Sequence, residues 1–256
     1  MRILFLYIAF VFCDVNTLFA ETIAETIAEK KTFDSVLDSF RSEKNIINSK
    51  KNQNNTKSDL TREEVKSFID NKRKLNQPIN LTNNLGINFN NLDLSNIDFS
   101  NAIMYGVSIN NSKLDNSNFT NTFLESSVFL NSSLKNTKFI NVNAGNINFS
   151  GADLQNSMFI NSFLKDGIFK DSKLDGASFL NVNISNSNFD SAVLNNTQIK
   201  NSNIKYSNFK NITSSNMDWE LNDLSHSILN NVKITNSKLK AVDISNSKLN
   251  SIYMDN

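Results

Sequence analysis

The sequence predicts an all-β solenoid closed at its N-terminal end by an α-helix, and three observations predict it. From Phe89 an apolar residue returns at every fifth position, through Leu94, Phe99, Met104, Ile109, Leu114 and Phe119, and it still does so at Leu239, Ile244, Leu249 and Met254. Positions twenty apart also match in kind. Just ahead of the repeat, Thr61-Arg62-Glu63-Glu64 opens a short amphipathic stretch. A period of five fits neither the 3.6 of a helix nor the 2 of a strand. A fixed long-range repeat is instead the mark of stacked units that bury their apolar faces only against their neighbours.

Two further positions in each five-residue unit are restricted. Two residues before the apolar centre stands something small or β-branched, as at Ser112, Ser117, Thr122, Ser127 and Ser132. Two residues after it stands mostly Asn or Gly, as at Asn91, Asn96, Asn101, Gly106 and Asn111. Ala152-Asp153-Leu154 and Ser117-Asn118-Phe119 show the unit most clearly. The pattern resembles the pentapeptide-repeat family, whose motif is A(D/N)LXX. The resemblance covers roughly two-thirds of the chain, in about 34 consecutive units. It implies a right-handed, quadrilateral β-helix. It implies no particular activity, because members share a fold and not a chemistry.

The residues support four units per coil. Phe99, Phe119, Phe139, Phe159 and Phe179 form one row, and Phe129, Phe149, Phe169 and Phe189 form another. Between them lie a leucine row (Leu114, Leu134, Leu154, Leu174) and a mixed aliphatic row (Leu124, Leu164, Ile184). An alternation by ten would also place the phenylalanines, but the two aliphatic rows differ, which favours twenty. These rows are the expected core. Coils ~4.8 Å apart give a rod roughly 40 Å long. Asn101, Asn121, Asn141, Asn161, Asn181 and Asn201 should line one corner, where amide ladders can form.

Residues 1–20 read as a signal peptide: Arg2, an apolar run from Ile3 to Cys13, and Ala20 before Glu21. The run is too short to span a bilayer, which takes about 20 apolar residues. An uncleaved anchor is the alternative. Cleavage after Ala20 removes Cys13, the one cysteine, and with it any disulfide. Residues 21–57 read as a tether. Within it Phe33, Val36, Leu37 and Phe40 have the spacing of a short helix, while 45–57 is almost free of apolar residues.

Residues 58–78 read as a capping helix. The Thr61 hydroxyl and the Glu64 carboxylate form a capping box, Leu60 and Val65 occupy the staple positions, and Val65, Phe68 and Ile69 make the buried stripe. A solenoid's first coil has an unpaired edge and an open apolar end. Covering it is the role expected of this helix, with the repeat filling 79–256.

One place breaks the pattern. Ser214 takes a centre in the leucine row and Trp219, the one tryptophan, takes the next. Asn222 then stands at a small position. Either the indole fills space that Ser214 leaves, or a bulge makes a notch.

The surface positions suggest a partner. Ile140, Ile160 and Leu180 lie twenty apart on outward positions, and Ile103, Phe123 and Phe163 come just around the adjacent corner. Together they are expected to form one apolar interface for an unidentified protein. Ile252, Tyr253 and Met254 form a second candidate, at the last coil. Members of the resembled family commonly dimerise through that end, which implies a head-on homodimer here.

Chemistry is missing from the sequence. His226 is the single histidine and sits at an Asn-type corner, so no metal site or His-based nucleophile pair is expected. The glycines follow the repeat and make no phosphate loop. No cofactor and no catalytic residue is expected. Some members of the resembled family mimic DNA and inhibit or protect a type II topoisomerase. Mimicry needs a dense negative surface, whereas this chain has 26 Lys and Arg against 25 Asp and Glu. Its near neutrality also argues against nucleic-acid binding. The expectation is an exported scaffold in the periplasm, the envelope or beyond, with no stable membrane span after cleavage.

Overall fold

The computed structural model describes residues 60–255, so the segments read as signal peptide and tether lie outside the described residues. The described chain begins with helix α1, Arg62–Lys74. Its capping box is complete: the Glu64 amide donates to the Thr61 hydroxyl, and the Thr61 amide donates to the Glu64 carboxylate at 2.8 Å. Glu63 and Glu64 lie in its first turn and Lys72, Arg73 and Lys74 in its last, each sign matched to the helix dipole. A two-residue strand β1 (Ile79–Asn80) and a five-residue helix α2 (Leu81–Leu85) lead into the repeat.

From there the chain winds as a β-helix with twenty residues per coil. Every recorded bridge between the isolated repeat positions is parallel and joins residues twenty apart, as in Asp93–Lys113–Ser133–Asp153. The hydrogen bonds are equally regular. The Phe129 amide donates to the Asn148 carbonyl at 2.7 Å and the Asn131 amide to the Ser150 carbonyl at 3.1 Å. In return the Asn148 amide donates back to Ser127 at 3.0 Å.

The corners explain the asparagines. Asn91, Asn96, Asn101, Asn111, Asn116 and Asn121 all have φ between 53° and 61°. That left-handed conformation turns the chain through a corner, and Asn and Gly tolerate it best. Their amides add the ladder: Asn121 donates to Asn101 at 3.1 Å and Asn141 to Asn121 at 3.2 Å. Thus backbone conformation selects the residue, and side-chain bonding follows from it.

The interior is a stack of rings. Phe99, Phe119, Phe139, Phe159 and Phe179 lie parallel with centroids 4.6–5.1 Å apart. The second column, from Phe129 to Phe209, meets the first edge-on, for example at 6.1 Å between Phe119 and Phe129. Leu114, Leu134, Leu154 and Leu174 close the remaining space, and none of them or of the rings from Phe99 to Phe189 is exposed. The serines at the small positions are buried and, Ser157 apart, mostly paired. The Ser132 hydroxyl donates to the Ile109 carbonyl at 2.6 Å and accepts from the Ser112 amide at 3.0 Å. Asn222 does the same with its larger amide, donating to Ile199 at 2.6 Å and accepting from Ser202 at 3.1 Å.

Longer ladders appear where consecutive residues pair. Strands β2 (Ala102–Ile103), β3 (Lys138–Ile140), β4 (Met158–Ile160), β5 (Ser178–Leu180), β6 (Gln198–Lys200) and β7 (Thr213–Ser215) are two or three residues long. They are followed by β8 (Asp218–Glu220), β9 (Ile228–Thr235), β10 (Lys238–Lys240) and β11 (Lys248–Asp255). Strands β3, β4, β5, β6, β8 and β10 form one six-stranded parallel sheet.

The Ser214–Trp219 irregularity makes no bulge. Ser214 pairs with Ile234 and Trp219 with Ile199, both in the twenty-residue register. The Ser214 hydroxyl accepts the Leu194 amide at 3.1 Å, and the indole N–H reaches the Thr197 hydroxyl at 3.3 Å. Both polar groups are therefore satisfied inside the core, so the notch reading is set aside.

Candidate interaction surfaces

The sheet through β3, β4 and β5 carries Ile140, Ile160 and Leu180 as a half-buried outward row in strict register. Met158, 37% exposed, joins them on the same sheet. The sequence pattern did not single it out, because its row neighbours are Lys138 and Ser178; strand alternation around inward Phe159 places it on the same face as Ile160. Lys138 and Lys200 bound the patch, so an apolar strip ends in charge on both sides.

The adjoining face departs from the sequence expectation. Ile103 pairs with Asn80 and is only 8% exposed, so β1 covers it and it contributes nothing to an open patch. Phe123 and Phe163 share one row, but Asn143 stands between them. The exposed corner asparagines, with Asn181 donating to Asn161 at 3.2 Å, separate this row from Ile160. The apolar surface is therefore two strips divided by an amide ladder. A five-residue count cannot show this, since it gives neither the covering strand nor the corner.

Charge on the faces is paired between coils. Lys135 bridges Asp153 at 3.2 Å, Lys200 bridges Asp218 at 2.7 Å, Lys205 bridges Asp223 at 2.9 Å, and Lys240 is paired with Glu220. The hydrogen bond to Asp218 raises the pKa of Lys200, and that to Asp223 raises Lys205. Burial pushes the Asp223 carboxyl up, but Lys205 and Ser225 together pull it below the usual range. Each of these carboxylates therefore faces a lysine of a neighbouring coil. His226 occupies a left-handed corner and stacks on Tyr206 at 5.0 Å. Among the described residues no group of three His, Cys, Asp or Glu could hold a metal ion, and no helix is long and apolar enough to cross a membrane.

At the last coil the inward residues lose their cover. Leu239 and Ile244 are about 40% exposed, and Leu249 and Met254 reach 51%. Of the three residues picked from the sequence, Tyr253 and Met254 are about half-exposed here and Ile252 less so. Ile252 packs half-buried against the core. Tyr253 points outward beneath the Lys233 ammonium, 5.5 Å from its ring centre. The reason is register: 252 is a small-type inward position and 253 an outward one.

At the opposite end α1 lies over the first coil with Val65 and Ile69 buried. Arg62 donates to the carbonyls of Asp93 and Ser95 at 2.7 and 2.8 Å. Arg73 donates to those of Asp98 and Ser100 at 2.7 and 3.2 Å. Thr82 donates to Tyr105 at 3.2 Å. In later coils the equivalent carbonyls accept amides of the preceding coil, so the two guanidinium groups stand in for missing strands. No pattern in the sequence singles out Arg62 or Arg73 for this role.

Two family models match the chain. One, described as pentapeptide repeats (8 copies), matches residues 86–121, and the other, a pentapeptide repeat region, matches residues 133–209. No curated protein matches it. Among solved structures, it is similar to HetL, a pentapeptide repeat protein involved in heterocyst differentiation regulation from the cyanobacterium Nostoc sp. strain PCC 7120. That likeness has 13% identity and a TM-score of 0.44, over 65% of this chain and 89% of that one. It is also similar to QnrB1, a plasmid-mediated fluoroquinolone resistance protein. There the identity is 21% and the TM-score 0.44, over 63% of this chain and 82% of that one. A pentapeptide repeat protein of the Arabidopsis thaliana thylakoid lumen is 25% identical with a TM-score of 0.16, over 47% and 66% of the two chains.

Proposed function

From the premise that this chain belongs to the pentapeptide-repeat family, we propose that it is an exported, non-catalytic scaffold that binds a protein partner through the side of its solenoid. The observation that carries this reading is the strip of Ile140, Met158, Ile160 and Leu180 on the continuous sheet face. A rigid, register-locked row of half-exposed apolar side chains costs little to order on binding and gains from losing water. Its flanking lysines fix where a partner can sit. Paired charge along the other faces supports a protein partner over DNA mimicry, which needs an unbroken negative surface. Export rests on the basic start, apolar run and Ala20 exit of the first residues. Tyr253 and Met254, about half-exposed in the last described coil and read from the sequence as part of a head-on dimer contact, are a second candidate surface of the scaffold.

The test is an Ile160→Lys, Phe163→Lys double variant, compared with the parent by tagged recovery from the native cell. Its circular dichroism should match the parent's, and a protein that co-purifies stoichiometrically with the parent should be lost. The same set of proteins recovered with both would remove the lateral strip from consideration. N-terminal sequencing of the recovered chain settles export: a start near Glu21 supports it, and an intact Met1 in the cytosol overturns it.

A further inference from the structure

We infer that the corner beside Phe123 and Phe163 binds an uncharged, extended glycan, a β-1,4-linked chain of N-acetylhexosamines. The site lies on the face next to the lateral strip and goes beyond the protein contact proposed there.

The surface is neutral over four coils. Residues 120–123, 140–143, 160–163 and 180–183 turn this corner, and none of them is ionisable. Such a surface has nothing to pair with a phosphate or a charged peptide, whose recognition is electrostatic. It offers amide and C–H groups, the complement of a neutral polyhydroxy ligand.

Its polar groups are unspent. Asn141 donates to Asn121 and Asn181 to Asn161, each at 3.2 Å, but no bond joins Asn161 to Asn141. The ladder is therefore open at its middle, where the Asn141 carbonyl and the Asn161 N–H groups belong to exposed residues. Beside the gap stands half-buried Asn143, whose side-chain amide has no partner among the described residues. Asn183 uses its carbonyl to accept the Ser185 amide at 3.1 Å and hydroxyl at 2.8 Å, which leaves its N–H groups for a ligand. A side-chain amide donates and accepts at once, as an acetamido group does, so the two kinds of group can pair.

The apolar groups alternate with these amides. Phe123, Asn143, Phe163 and Asn183 follow one another in a single parallel row. The two rings, and likewise the two amides, are therefore about 10 Å apart, two strand spacings. In an extended β-1,4-linked chain each sugar is turned over relative to the last. Every second acetamido group then points the same way, at a comparable interval. Those groups can meet Asn143 and Asn183 while sugar C–H faces lie on Phe123 and Phe163, positive hydrogens against the negative ring face. Phe163 is folded down, its ring edge 3.3 Å from where a side chain on Gly145 would begin. A ring held that low gives a protein little to grip and a sugar a shallow platform. The fixed coil spacing aligns all these groups before a ligand arrives, so binding orders little.

Calorimetric titration of the full chain with chitohexaose, the β-1,4-linked N-acetylglucosamine hexamer, tests this. Saturable binding is expected, weakened roughly tenfold by Asn143→Ala and by Phe163→Ala, the scale of one hydrogen bond or one stacked ring. Cellohexaose, which lacks the acetamido groups, should bind more weakly by a similar factor. Maltohexaose, whose α-1,4 links coil the chain, should not bind. Met158→Lys lies on the lateral strip away from the corner. It should keep chitohexaose binding and lose the protein partner, so the two readings fail separately. No saturable binding, or parent-like binding by both folded variants, overturns the inference. Equal binding of cellohexaose overturns the acetamido contact, and equal binding of maltohexaose the extended register. Should Phe163→Ala lose its β circular dichroism, Asn143→Ala is read alone by the same criteria.

Discussion

The edge of the Phe163 ring lies 3.3 Å from the point where a side chain on Gly145 would begin. Gly145 is buried and its φ is not in the left-handed region, so the glycine serves the ring and not a turn. Phe163 thus lies partly folded onto its own face, which reduces what it offers a partner.

Gly145→Ala sets two effects against each other. Losing glycine's freedom in the unfolded chain stabilises by roughly 0.4–1 kcal/mol where the backbone is compatible. The ring must retreat a few tenths of an ångström, and a half-exposed ring can do so. The expected outcome in chemical denaturation is a small net gain, larger when Phe163→Ala is also present. Equal destabilisation with and without Phe163 would show that something other than the ring holds this position. Gly151→Ala should behave differently, because φ there is +67° and the Asn131 side chain closes the space.

The small positions give a sharper contrast. Ser132 makes two buried hydrogen bonds, whereas the Ser157 hydroxyl has none. Ser132→Ala strands the Ser112 amide and the Ile109 carbonyl, costing about 1–3 kcal/mol. Ser157→Ala removes a buried polar group that nothing satisfies, and Ala152 and Ala177 already fill such positions. It should be neutral or stabilising in urea titrations. A Ser157→Ala loss as large as that of Ser132→Ala would point to an ordered water on Ser157.

These contrasts show what the sequence could carry. Phe99 to Phe179 were legible as a core row because stacking demands the same residue every coil, and repetition is visible in one dimension. The Thr61–Glu64 box was legible because its partners are three residues apart. Ile103 was misread, since the strand that covers it comes from Ile79–Asn80, outside the repeat. Met158 and the arginines went unnoticed for a related reason. The arginines act on carbonyls 25 to 33 residues away that no local pattern marks, and Met158 lies in a row whose other members are Lys138 and Ser178, so no apolar repeat flags it. The asparagine corners were read as ladders, while their first cause is a φ near +55° that a sequence states only through its preference for Asn and Gly.

The Lys205–Asp223 bridge sets a pH prediction. The folded Asp223 carboxyl is depressed, so its contribution is present above the ordinary carboxylate pKa of about 4 and is lost as pH falls through the lower folded value. The folded Lys205 is raised, so its contribution is present below the ordinary lysine pKa of about 10.4 and is lost as pH rises through the higher folded value. Melting temperature should be flat from about pH 5 to 9 and fall on either side. Asp223→Asn should soften the acid limb and leave the plateau nearly unchanged, since exposed bridges contribute little. An acid limb of unchanged steepness would assign it to other carboxyls, Asp93 first, whose hydrogen bond from Ser95 also holds its pKa down.

Leu221 is where the chain spends stability at a corner. Its φ is 54° and its side chain is 56% exposed, so a bulky residue holds a left-handed conformation with no burial in return. Its column is otherwise asparagine from Asn101 to Asn201. Leu221→Asn should relieve about 1 kcal/mol of backbone strain and extend the ladder from Asn201. The gain would be read as a higher urea midpoint at unchanged slope. A lower midpoint would mean that Leu221 packs where its exposure says it does not. A stability gain accompanied by loss of a co-purifying partner would instead make Leu221 a contact residue, kept against its conformational cost.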